Sequence, residues 1–238
     1  CRSAGAVLSV SDITREVFID RLGVDPEKIT TVYFAPGEQF NKRLTTDEIR
    51  AVRSKYNLPD EFILTLSGGV KDDRKNFGTI LEAFRRIHAA KPSHLVVAGR
   101  GCEVFRQRYD IPADQFGADI HFPGWVDQED LPALYQSASL FLYPSNMEAF
   151  PIPITEALAS GAPIVTSNKF GLKELADDAA LLVDPSSAEE IANAALEVLS
   201  SEELSTKLRQ KAQERAKVFT WDKCTKKTLG LLEGLTRH

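Results

Sequence analysis

Short apolar runs alternate along this chain with segments in which apolar residues recur every three or four positions. An unbroken apolar run of four or five residues is typical of a strand that is buried on both faces of a parallel sheet. The longer recurrence indicates an amphipathic helix, and it is clear in Ile80, Leu81, Phe84 and Ile87, which share one face. The pattern therefore predicts strands in eight ranges: 6–10, 29–33, 62–66, 94–98, 119–122, 139–143, 163–166 and 179–183.

Helix boundaries are predicted from residues that cap helix ends. A Ser or Thr with Glu three positions later can satisfy exposed amides at a helix start, and a Gly can end a helix in the left-handed conformation. The predicted caps are the pairs Thr45/Glu48, Ser187/Glu190 and Ser200/Glu203, the N-caps Asn76 and Asp127, and Gly161 at the end of a helix that begins near Pro151.

The repeated order of strand and helix predicts an α/β fold with right-handed crossovers, a doubly wound parallel six-stranded sheet of the Rossmann type. The aperiodic segment 34–45, which contains Pro36 and Gly37, is interpreted as a connection. We therefore predict a remnant of a preceding domain with its linker at 1–36, the Rossmann-type domain at 37–199, and a basic helical tail at 200–238. The chain opens on Cys1 without Met and enters a strand at once, so we expect it to be part of a longer protein.

Composition excludes several classes of protein. The 238 residues are 43% hydrophobic and 26% charged, which excludes collagen, a disordered chain and a disulfide scaffold. The net charge of -5 argues against a protein whose whole surface binds nucleic acid. Cys1, Cys102 and Cys224 are scattered and odd in number, which favours free thiols in a reducing compartment. No apolar run is long enough to span a membrane and no signal peptide is recognisable, so the predicted location is cytoplasmic.

The basic tail has two interpretations. Lys and Arg recur between positions 207 and 227, a pattern compatible with peripheral contact with the anionic inner face of a membrane. Glutamates at 202, 203 and 214 are interspersed with them, so a solvated helix face is the favoured interpretation.

Ligands of open parallel sheets bind beyond the carboxyl ends of the strands, so the loops there are the first candidates for a site. The loop 67–76 carries Gly68 and Gly69, which allow close backbone approach, followed by Arg74 and Lys75 beside a predicted helix start. Fixed cations next to free amides suit an anion such as a diphosphate. A plain glycine turn with solvated cations is the alternative.

Two further loops carry weaker patterns. The stretch from Gly99 to Val104 is a G-x-G-x-x-G fingerprint without its last glycine, and Asp119 lies at the start of the next strand instead of its end. A simple strand-to-helix turn is therefore favoured over a dinucleotide site. Gly124, Trp125 and Val126 follow the next strand and could offer a platform to a planar base, with core packing of Trp125 as the alternative.

The loop 144–161 is the most informative. A predicted strand ends, the loop delivers Glu148, a helix begins near Pro151, and Gly161 follows the helix. Glu156 lies one turn into that helix, so the two carboxylates are at different heights and need not share one role. A carboxylate that accepts hydrogen bonds from two vicinal hydroxyls suits the binding of a ribose.

The stretch 148–165 resembles a motif of retaining glycosyltransferases with the GT-B fold, the family of glycogen synthase-like enzymes and of bacterial mannosyl- and glucosyltransferases. The motif E-G-F-G-L-P-x-x-E-A-x-A-x-G-x-P-V-V is matched from Glu148 through Glu156 and Gly161 to Val165. Further stretches match in the order of the family across nearly the whole chain, namely 9–12, 74–76, Gly99, Gly124, 171–175 and 179–185.

The resemblance implies the C-terminal, donor-binding half of a GT-B fold, with 37–199 as the domain that binds a nucleotide sugar. The implied catalytic residues are Arg74 and Lys75, which would hold the donor diphosphate and stabilise the leaving nucleotide, and Glu148, which would contact the transferred sugar. Glu156 would bind the ribose. The donor-binding residues are Gly68, Gly69, Arg74, Lys75, Gly99, Gly124, Trp125, Val126, Phe150, Pro151, Ile152 and Glu156.

The resemblance also implies an enzyme without cofactor or metal, since cationic side chains and a helix N-terminus take the place of a metal ion. The partners would be a nucleotide sugar, with a GDP-sugar favoured over a UDP-sugar, and a glycan or lipid-linked acceptor. The family binds its acceptor through the N-terminal half, which also carries the catalytic His or Asp. This chain is therefore expected to bind donor without transferring sugar, because His88, His94, His121 and His238 show no spacing for a substitute.

Ala149 and Pro151 depart from the family motif, which has glycine at both positions. Pro151 removes one backbone donor, so the contacts to the sugar are in question more than nucleotide binding. The alternatives are a nicotinamide-dependent dehydrogenase, a non-catalytic module that binds nucleotide sugar or serves in assembly, and a nucleotide-sugar epimerase.

Overall fold

The computed structural model describes residues 4–69 and 72–236, and these form two parallel sheets with helices on both faces of the larger one. A strand is present in each of the eight predicted ranges. The strands are Val7–Ser9 (β1), Ile29–Thr31 (β2), Ile63–Leu66 (β3), Leu95–Ala98 (β4), Ile120–Gly124 (β5), Leu140–Tyr143 (β6), Ile164–Ser167 (β7) and Leu181–Val183 (β8).

The α-helices follow the strands in the predicted alternation, joined by short 3-10 turns. They are Asp12–Leu22 (α1), Thr46–Lys55 (α2), Phe77–Ala90 (α3), Phe105–Arg108 (α4), Gln115–Ala118 (α5), Leu131–Ser137 (α6), Ile152–Ser160 (α7), Phe170–Ala176 (α8), Ala188–Ser200 (α9), Glu202–Ala216 (α10) and Trp221–Thr236 (α11).

The larger sheet has the strand order β5-β4-β3-β6-β7-β8, all parallel. The chain first moves outward from β3 in one direction and then returns to place β6 on the other side of β3. This confirms the doubly wound Rossmann-type sheet. The change of direction opens a crevice between the loops after β3 and β6, where such sheets bind ligands.

The strands of this sheet are buried on both faces, as their unbroken apolar runs predict. Alternate residues of one strand point to opposite sides, so Leu64 joins one core and Ile63 the other. The first core lies under α6 and α7 and the second under α3 and α9. Two filled cores hold the loops at the carboxyl edge of the sheet in fixed positions.

Three predicted caps are present in the structure. Thr45 and Glu48 form the complete capping box, with a 3.3 Å bond from Glu48 N to Thr45 Oγ1 and a 2.7 Å bond from Thr45 N to Glu48 Oε2. Ser187 caps α9 by accepting from Glu190 N at 3.1 Å. Gly161 ends α7 with a φ of 70°.

Two predicted caps are wrong, and one occupies its predicted position without a capping bond. Ser200 is the last residue of α9, and Ser201 caps α10 instead, because either serine fits the pattern and the turn between the helices decides. Asp127 precedes α6 by a full turn, and Asp130 stands at the N-cap without a side-chain bond. Asn76 is the N-cap of α3 as predicted, but its Oδ1 accepts from the hydroxyl of Thr79 at 2.7 Å instead of from a backbone amide.

The β1–α1–β2 unit (residues 7–31) is attached to the larger sheet at one helix end. The carboxylate of Glu174 accepts from Asp12 N at 2.7 Å and from Ile13 N at 2.9 Å at the start of α1. No residue of α1 is buried, and Val17 and Leu22 are exposed on it. This unit contributes little to either core, and the division at 1–36 and 37–199 stays a prediction.

Several cations of the predicted basic tail bind backbone carbonyls of the larger sheet's domain. Arg209 of α10 donates to Gly161 O at 3.1 Å and to Ala138 O at 2.8 Å, and Arg215 donates to Glu174 O at 2.7 Å. These charges hold α10 on the domain. Nowhere in residues 4–69 and 72–236 does a helix have the length and apolar character that crossing a membrane requires.

Candidate functional site

The candidate site is a cleft of about 470 Å³ at the carboxyl edge of the six-stranded sheet, beside the crevice between β3 and β6. The loops after β3, β4 and β5 and the start of α7 form its walls. Six residues predicted to bind a donor line this cleft: Gly68, Gly99, Trp125, Val126, Ile152 and Glu156. The remaining predicted residues lie outside it, on the loop after β3, at the end of β5 and on the loop after β6.

Glycines allow the loops of the cleft to approach each other. Gly99 has a φ of 133°, and a Cβ atom there would lie 2.5 Å from the backbone oxygen of Ser67. Its N–H donates to Gly124 O at 2.8 Å, which joins the loops after β4 and β5. Gly69 also has a positive φ, 102°. A side chain at Gly99 would therefore push the wall of the cleft apart.

Trp125 lies at the mouth of the cleft with 53% of its surface exposed. The guanidinium carbon of Arg100 lies 5.2 Å from the centre of its indole ring. Core packing, the alternative interpretation of Trp125, is therefore wrong, whereas its neighbour Val126 is 3% exposed and belongs to the first core. An exposed aromatic ring beside a cation offers a stacking surface to a planar base.

Glu156 is almost entirely buried at the inner wall of the cleft, with 7% of its surface exposed. It is the fifth residue of α7, and Tyr135 Oη donates to its Oε2 atom at 2.9 Å. Burial raises the pKa of this carboxyl, and the hydrogen bond from Tyr135 acts in the opposite direction. A buried carboxylate beside a cavity is poised to accept hydrogen bonds from a ligand.

A cluster of charged groups lies where the loops after β3 and β6 meet. Lys75 Nζ is 2.6 Å from Glu148 Oε1 and also bonds the hydroxyl of Tyr143. Arg74 forms two bonds to Asp72, at 2.9 and 3.0 Å, and lies 3.8 Å from Glu148. Two cations thus face two carboxylates, and burial raises the pKa of Tyr143 so that its hydroxyl stays protonated.

The cluster and the cleft share one loop. Gly68 lines the cleft, and a Cβ atom there would lie 2.2 Å from Oδ2 of Asp72, the partner of Arg74. The wall of the cleft and the cations therefore belong to one loop. Val70 and Lys71 of this loop lie outside the described residues.

Hydrogen bonds to backbone oxygens hold the loops after β3 and β6 together. The backbone oxygen of Arg74 accepts from Ser145 Oγ at 2.7 Å and from Asn146 N at 2.8 Å. The amide of Asn76 donates to Pro144 O at 3.1 Å. These bonds bring Lys75 to Glu148 although the two residues are far apart in the sequence.

Gly171 of α8 supports the loop that carries Glu148. Its N–H donates to Glu148 O at 3.0 Å, and a Cβ atom there would lie 2.3 Å from Ala149 O. Any larger residue would displace this loop. The G-x-x-E-L stretch therefore acts on the site through packing.

The start of α7 offers fewer amides than the sequence analysis assumed. Pro151 is the N-cap and Pro153 the second helical residue, and neither has an N–H. The N–H of Ile154 donates to Pro151 O at 3.0 Å, so within the described residues Ile152 has the one unbonded N–H of this turn. The side chain of Phe150 packs away from the cleft, 5.6 Å from the ring of Phe34.

Sequence reasoning missed four residues of the site: Asp72, Arg100, Tyr135 and Tyr143. Tyr143 could have been found, because a tyrosine ends the apolar run that precedes the most informative loop. The aspartate two positions before Arg74 was a similar signal. Nothing local marks Tyr135, which reaches Glu156 from another helix.

The three described histidines lie elsewhere, around Asp119 at the amino edge of the sheet. His88 Nε2 is 2.8 Å from Asp119 Oδ2, and His94 Nδ1 is 3.4 Å from Asp119 Oδ1 and 3.2 Å from His121 Nε2. In the part of the chain that is described, no three His, Cys, Asp or Glu residues form a group suited to a metal ion.

The described cysteines are buried free thiols, as predicted. These are Cys102 and Cys224. Burial raises the pKa of Cys102 to about 11, so this thiol stays protonated. Cys1 and His238 lie outside the described residues.

A comparison with known families decides the classification. The family model described as glycosyl transferases group 1 matches residues 48–215, a range that includes the whole cleft and the charged cluster. The chain belongs to this glycosyltransferase family. The sequence-based resemblance is thereby confirmed.

Curated relatives of this glycosyltransferase chain include two bacterial enzymes. O-antigen chain mannosyltransferase B of Escherichia coli is 31% identical over 230 residues, which cover 95% of this chain and 60% of that protein. Mannosylfructose-phosphate synthase of Agrobacterium fabrum is 25% identical, and the match covers 99% of this chain and 54% of that protein. The chain thus spans little more than half the length of these relatives.

Solved glycosyltransferase structures share the fold. Sucrose-phosphate synthase of Thermosynechococcus elongatus superposes with a TM-score of 0.79 at 25% identity, covering 99% of this chain and 59% of that one. Anabaena Alr3699/HepE in complex with UDP-glucose gives a TM-score of 0.78 at 18% identity, covering 99% and 64%. These neighbours confirm the GT-B fold class that the motif implied.

Proposed function

We propose that this chain is the donor-binding part of a retaining, metal-independent hexosyltransferase. Such an enzyme transfers a hexose from a nucleoside-diphosphate sugar to a glycan or lipid-linked acceptor. The observation that carries the proposal is the loop after β3, which lines the cleft at Gly68 and carries Arg74 and Lys75 a few residues later. A cleft with a buried carboxylate on its wall and two cations on one of its loops offers partners to the ribose and the diphosphate of a nucleotide sugar.

The diphosphate is assigned to Arg74 and Lys75. In the structure these cations bind Asp72 and Glu148. An incoming diphosphate takes over part of these contacts and places its own charge against the cations. As the bond between the sugar and the diphosphate breaks, the same cations stabilise the negative charge that develops on the leaving nucleotide. Two fixed cations supply there the charge for which other transferases use a divalent ion, which supports the metal-independent proposal.

The nucleoside is assigned to the cleft. Trp125 and Arg100 offer the stacking surface to the base, and Glu156 accepts from the ribose hydroxyls. GDP is the proposed nucleotide and mannose the proposed sugar, because two of the relatives are named for mannosyl products. UDP is the competing nucleotide, since a structural neighbour is named for its complex with UDP-glucose.

The sugar is assigned to the space beside Glu148, at the end of the charged cluster. Retention of the sugar configuration and the contact between Glu148 and the transferred sugar rest on the family resemblance. The catalytic His or Asp and the acceptor site are assigned to a part of the protein beyond these residues, so this chain alone binds donor without transferring it. A cytoplasmic location is proposed on the free thiols Cys102 and Cys224.

Titration calorimetry of the 238-residue chain with GDP, UDP and NADH tests this proposal. We expect binding of GDP, with or without a metal chelator, and no binding of NADH. Binding of NADH in preference to both nucleoside diphosphates would instead support a dehydrogenase. Loss of GDP binding in chelator would contradict metal independence, and sugar transfer to a mixed acceptor panel would contradict the inactivity of the isolated chain.

One observation favours a second candidate, a non-catalytic nucleotide-sugar-binding module. Pro151 and Pro153 leave the start of α7 with few amides for the phosphates or sugar. The full-length protein distinguishes the two candidates through Lys75→Ala, Glu148→Ala and Glu156→Ala. An enzyme loses transfer in these variants, whereas a binding module shows no transfer even before substitution.

A further inference from the structure

Tyr135 is the buried partner of the carboxylate that lines the cleft. Its relative exposure is 0%, and its hydroxyl donates to Glu156 Oε2 at 2.9 Å. The ring is fixed by edge contacts to Phe40 on one side, at 5.9 Å, and to Phe141 on another, at 5.0 Å. The hydroxyl therefore cannot swing away from Glu156 without breaking the packing of the first core.

In residues 4–69 and 72–236, the support of the Glu156 carboxylate comes from this one side chain. Within the described residues, Tyr135 is the one hydrogen-bond donor to its side chain, and no Lys, Arg or His nitrogen lies within 4.0 Å of it. An ionised carboxylate at a buried position needs such donors, because burial removes its water. Tyr135 supplies the single bond that favours the charged form.

The geometry also decides which oxygen meets a ligand. Oε2 is occupied by Tyr135, whereas Oε1 has no hydrogen-bond partner in the described part of the chain. Because Glu156 lines the 470 Å³ cleft, Oε1 is the oxygen left to accept from hydroxyls there. Burial raises the pKa of Tyr135 far above its ordinary value, so the hydroxyl keeps its proton and its direction as donor.

We propose that Tyr135 is a positioning residue of the donor site, which holds Glu156 ionised and turned so that Oε1 receives the ribose hydroxyls of a nucleoside diphosphate. This inference rests on the proposed function, since it assigns the ribose to Glu156. Tyr135 touches no ligand and acts through Glu156 alone.

The test is a cycle of variants measured by calorimetry with whichever of GDP or UDP binds the wild-type chain. Tyr135→Phe keeps the ring and removes the bond, and we expect affinity about 10-fold weaker or more, as for a lost hydrogen bond to a charged group. The same substitution in a Glu156→Gln background is expected to have little further effect. The matched control is Tyr109→Phe, a partly buried tyrosine packed against Phe105 away from the cleft.

Two readouts separate positioning from a purely structural role. First, Tyr135→Phe is expected to reduce the affinity for the ribonucleotide much more than the affinity for its 2′,3′-dideoxy analogue, which lacks the ribose hydroxyls. Second, when the solution is acidified, Tyr135→Phe is expected to lose nucleotide affinity at a higher pH than the wild type does. The reason is that the variant lacks the hydrogen bond that favours the ionised carboxylate of Glu156. Equal losses for both nucleotides, with an unchanged pH profile, would overturn the inference.

A wild-type measurement does not depend on any variant folding. In mixed H₂O and D₂O, a hydroxyl held in a buried hydrogen bond exchanges its hydrogen slowly. The ¹³C NMR spectrum is then expected to show two signals for Cζ of Tyr135, one for the protonated and one for the deuterated hydroxyl. One averaged signal would contradict the inference. A wild-type chain that binds neither GDP nor UDP overturns the proposed function together with this inference. Normal binding by Tyr135→Phe overturns the role of Tyr135 alone.

Discussion

The two edges of the six-stranded sheet both place buried carboxylates among polar groups, and they differ in what those groups bind. At the amino edge, Asp119 is surrounded by His88, His94 and Gln115, and these groups bind one another. At the carboxyl edge, the carboxylate of Glu156 lines an open cleft, and Arg74 and Lys75 lie on a loop that forms part of its wall.

The two edges differ in how completely their polar groups are paired with one another. The polar groups around Asp119 satisfy each other, which is the usual arrangement for groups that stabilise a fold. Among the described residues Glu156 has one hydrogen-bond donor, and the ion pairs of Lys75 and Arg74 lie at the crevice where parallel sheets bind ligands. Incomplete pairing beside a cavity therefore distinguishes the candidate site from a structural cluster of similar composition.

The largest expected effect comes from Lys75→Met, which keeps the apolar stem and removes the charge. We expect nucleoside-diphosphate affinity to fall about 100-fold, the size expected for a lost charge-assisted contact, and stability to fall as well, because the mostly buried Glu148 loses its paired cation. Titration calorimetry measures the affinity for the nucleoside diphosphate. The matched control is Lys91→Met at the opposite edge, where Nζ donates to Leu199 O, and equal losses in both variants would show that the edges do not differ.

Asp119→Ala, at the amino edge, is expected to reduce stability without changing nucleotide affinity. It leaves His88 and Gln115 without their acceptor, so we expect the free energy of unfolding in urea to fall by about 1–3 kcal/mol. Nucleotide affinity should stay as in the wild type. Asp47→Ala, which removes an exposed ion pair with Arg50, serves as control and should cost about 0.5 kcal/mol or less. Loss of nucleotide binding in Asp119→Ala would assign a ligand role to the amino edge.

Glu156→Gln should have a smaller and opposite effect on stability. Burial raises the pKa of Glu156, so at neutral pH its ionised form destabilises the folded state, and that cost declines as the pH falls through the raised pKa. The neutral variant is therefore expected to be slightly more stable than the wild type at pH 7 while binding nucleotide more weakly. Urea unfolding at pH 7 checks the first part, and a less stable variant would refute it.

The smallest expected effect is the pH dependence from His121. Burial, and then the neighbouring His94, lowers the pKa of His121. The unfolded chain therefore takes up a proton near pH 6.5 that the folded chain does not yet accept, and stability is lost as the pH falls below that value. His121→Gln should reduce the decline of the unfolding free energy between pH 7 and pH 5.5. An unchanged decline would assign it to other groups.

The strands and the loops of the site could be predicted from the sequence because their signals are local. The run at Leu140–Tyr143 is apolar throughout, and Glu148, Pro151 and Gly161 follow at spacings that mark a loop, a helix start and a helix end. The prediction at Ser200 failed by one position, because the neighbouring serine fits the same local pattern. Where local signals are equivalent, packing decides.

The individual residues of the site could be predicted from the sequence, but the contacts between them could not. Arg74, Lys75, Glu148 and Glu156 were found from motif and placement, but the pairing of Lys75 with Glu148 depends on the bonds from Ser145 and Asn146 to the loop of Arg74. Those bonds join segments about seventy residues apart. No local pattern contains that information.

The sequence by itself determined the class of the fold, the family and the loops that carry the chemistry, because each depends on residues that are close in the chain. The tertiary structure decided which of the polar groups have partners. Tyr135 became a partner of Glu156 because α6 and α7 pack side by side, and Trp125 stayed at the surface because the core filled without it. Pairing and burial depend on how distant segments pack, so they are settled only when the cores form.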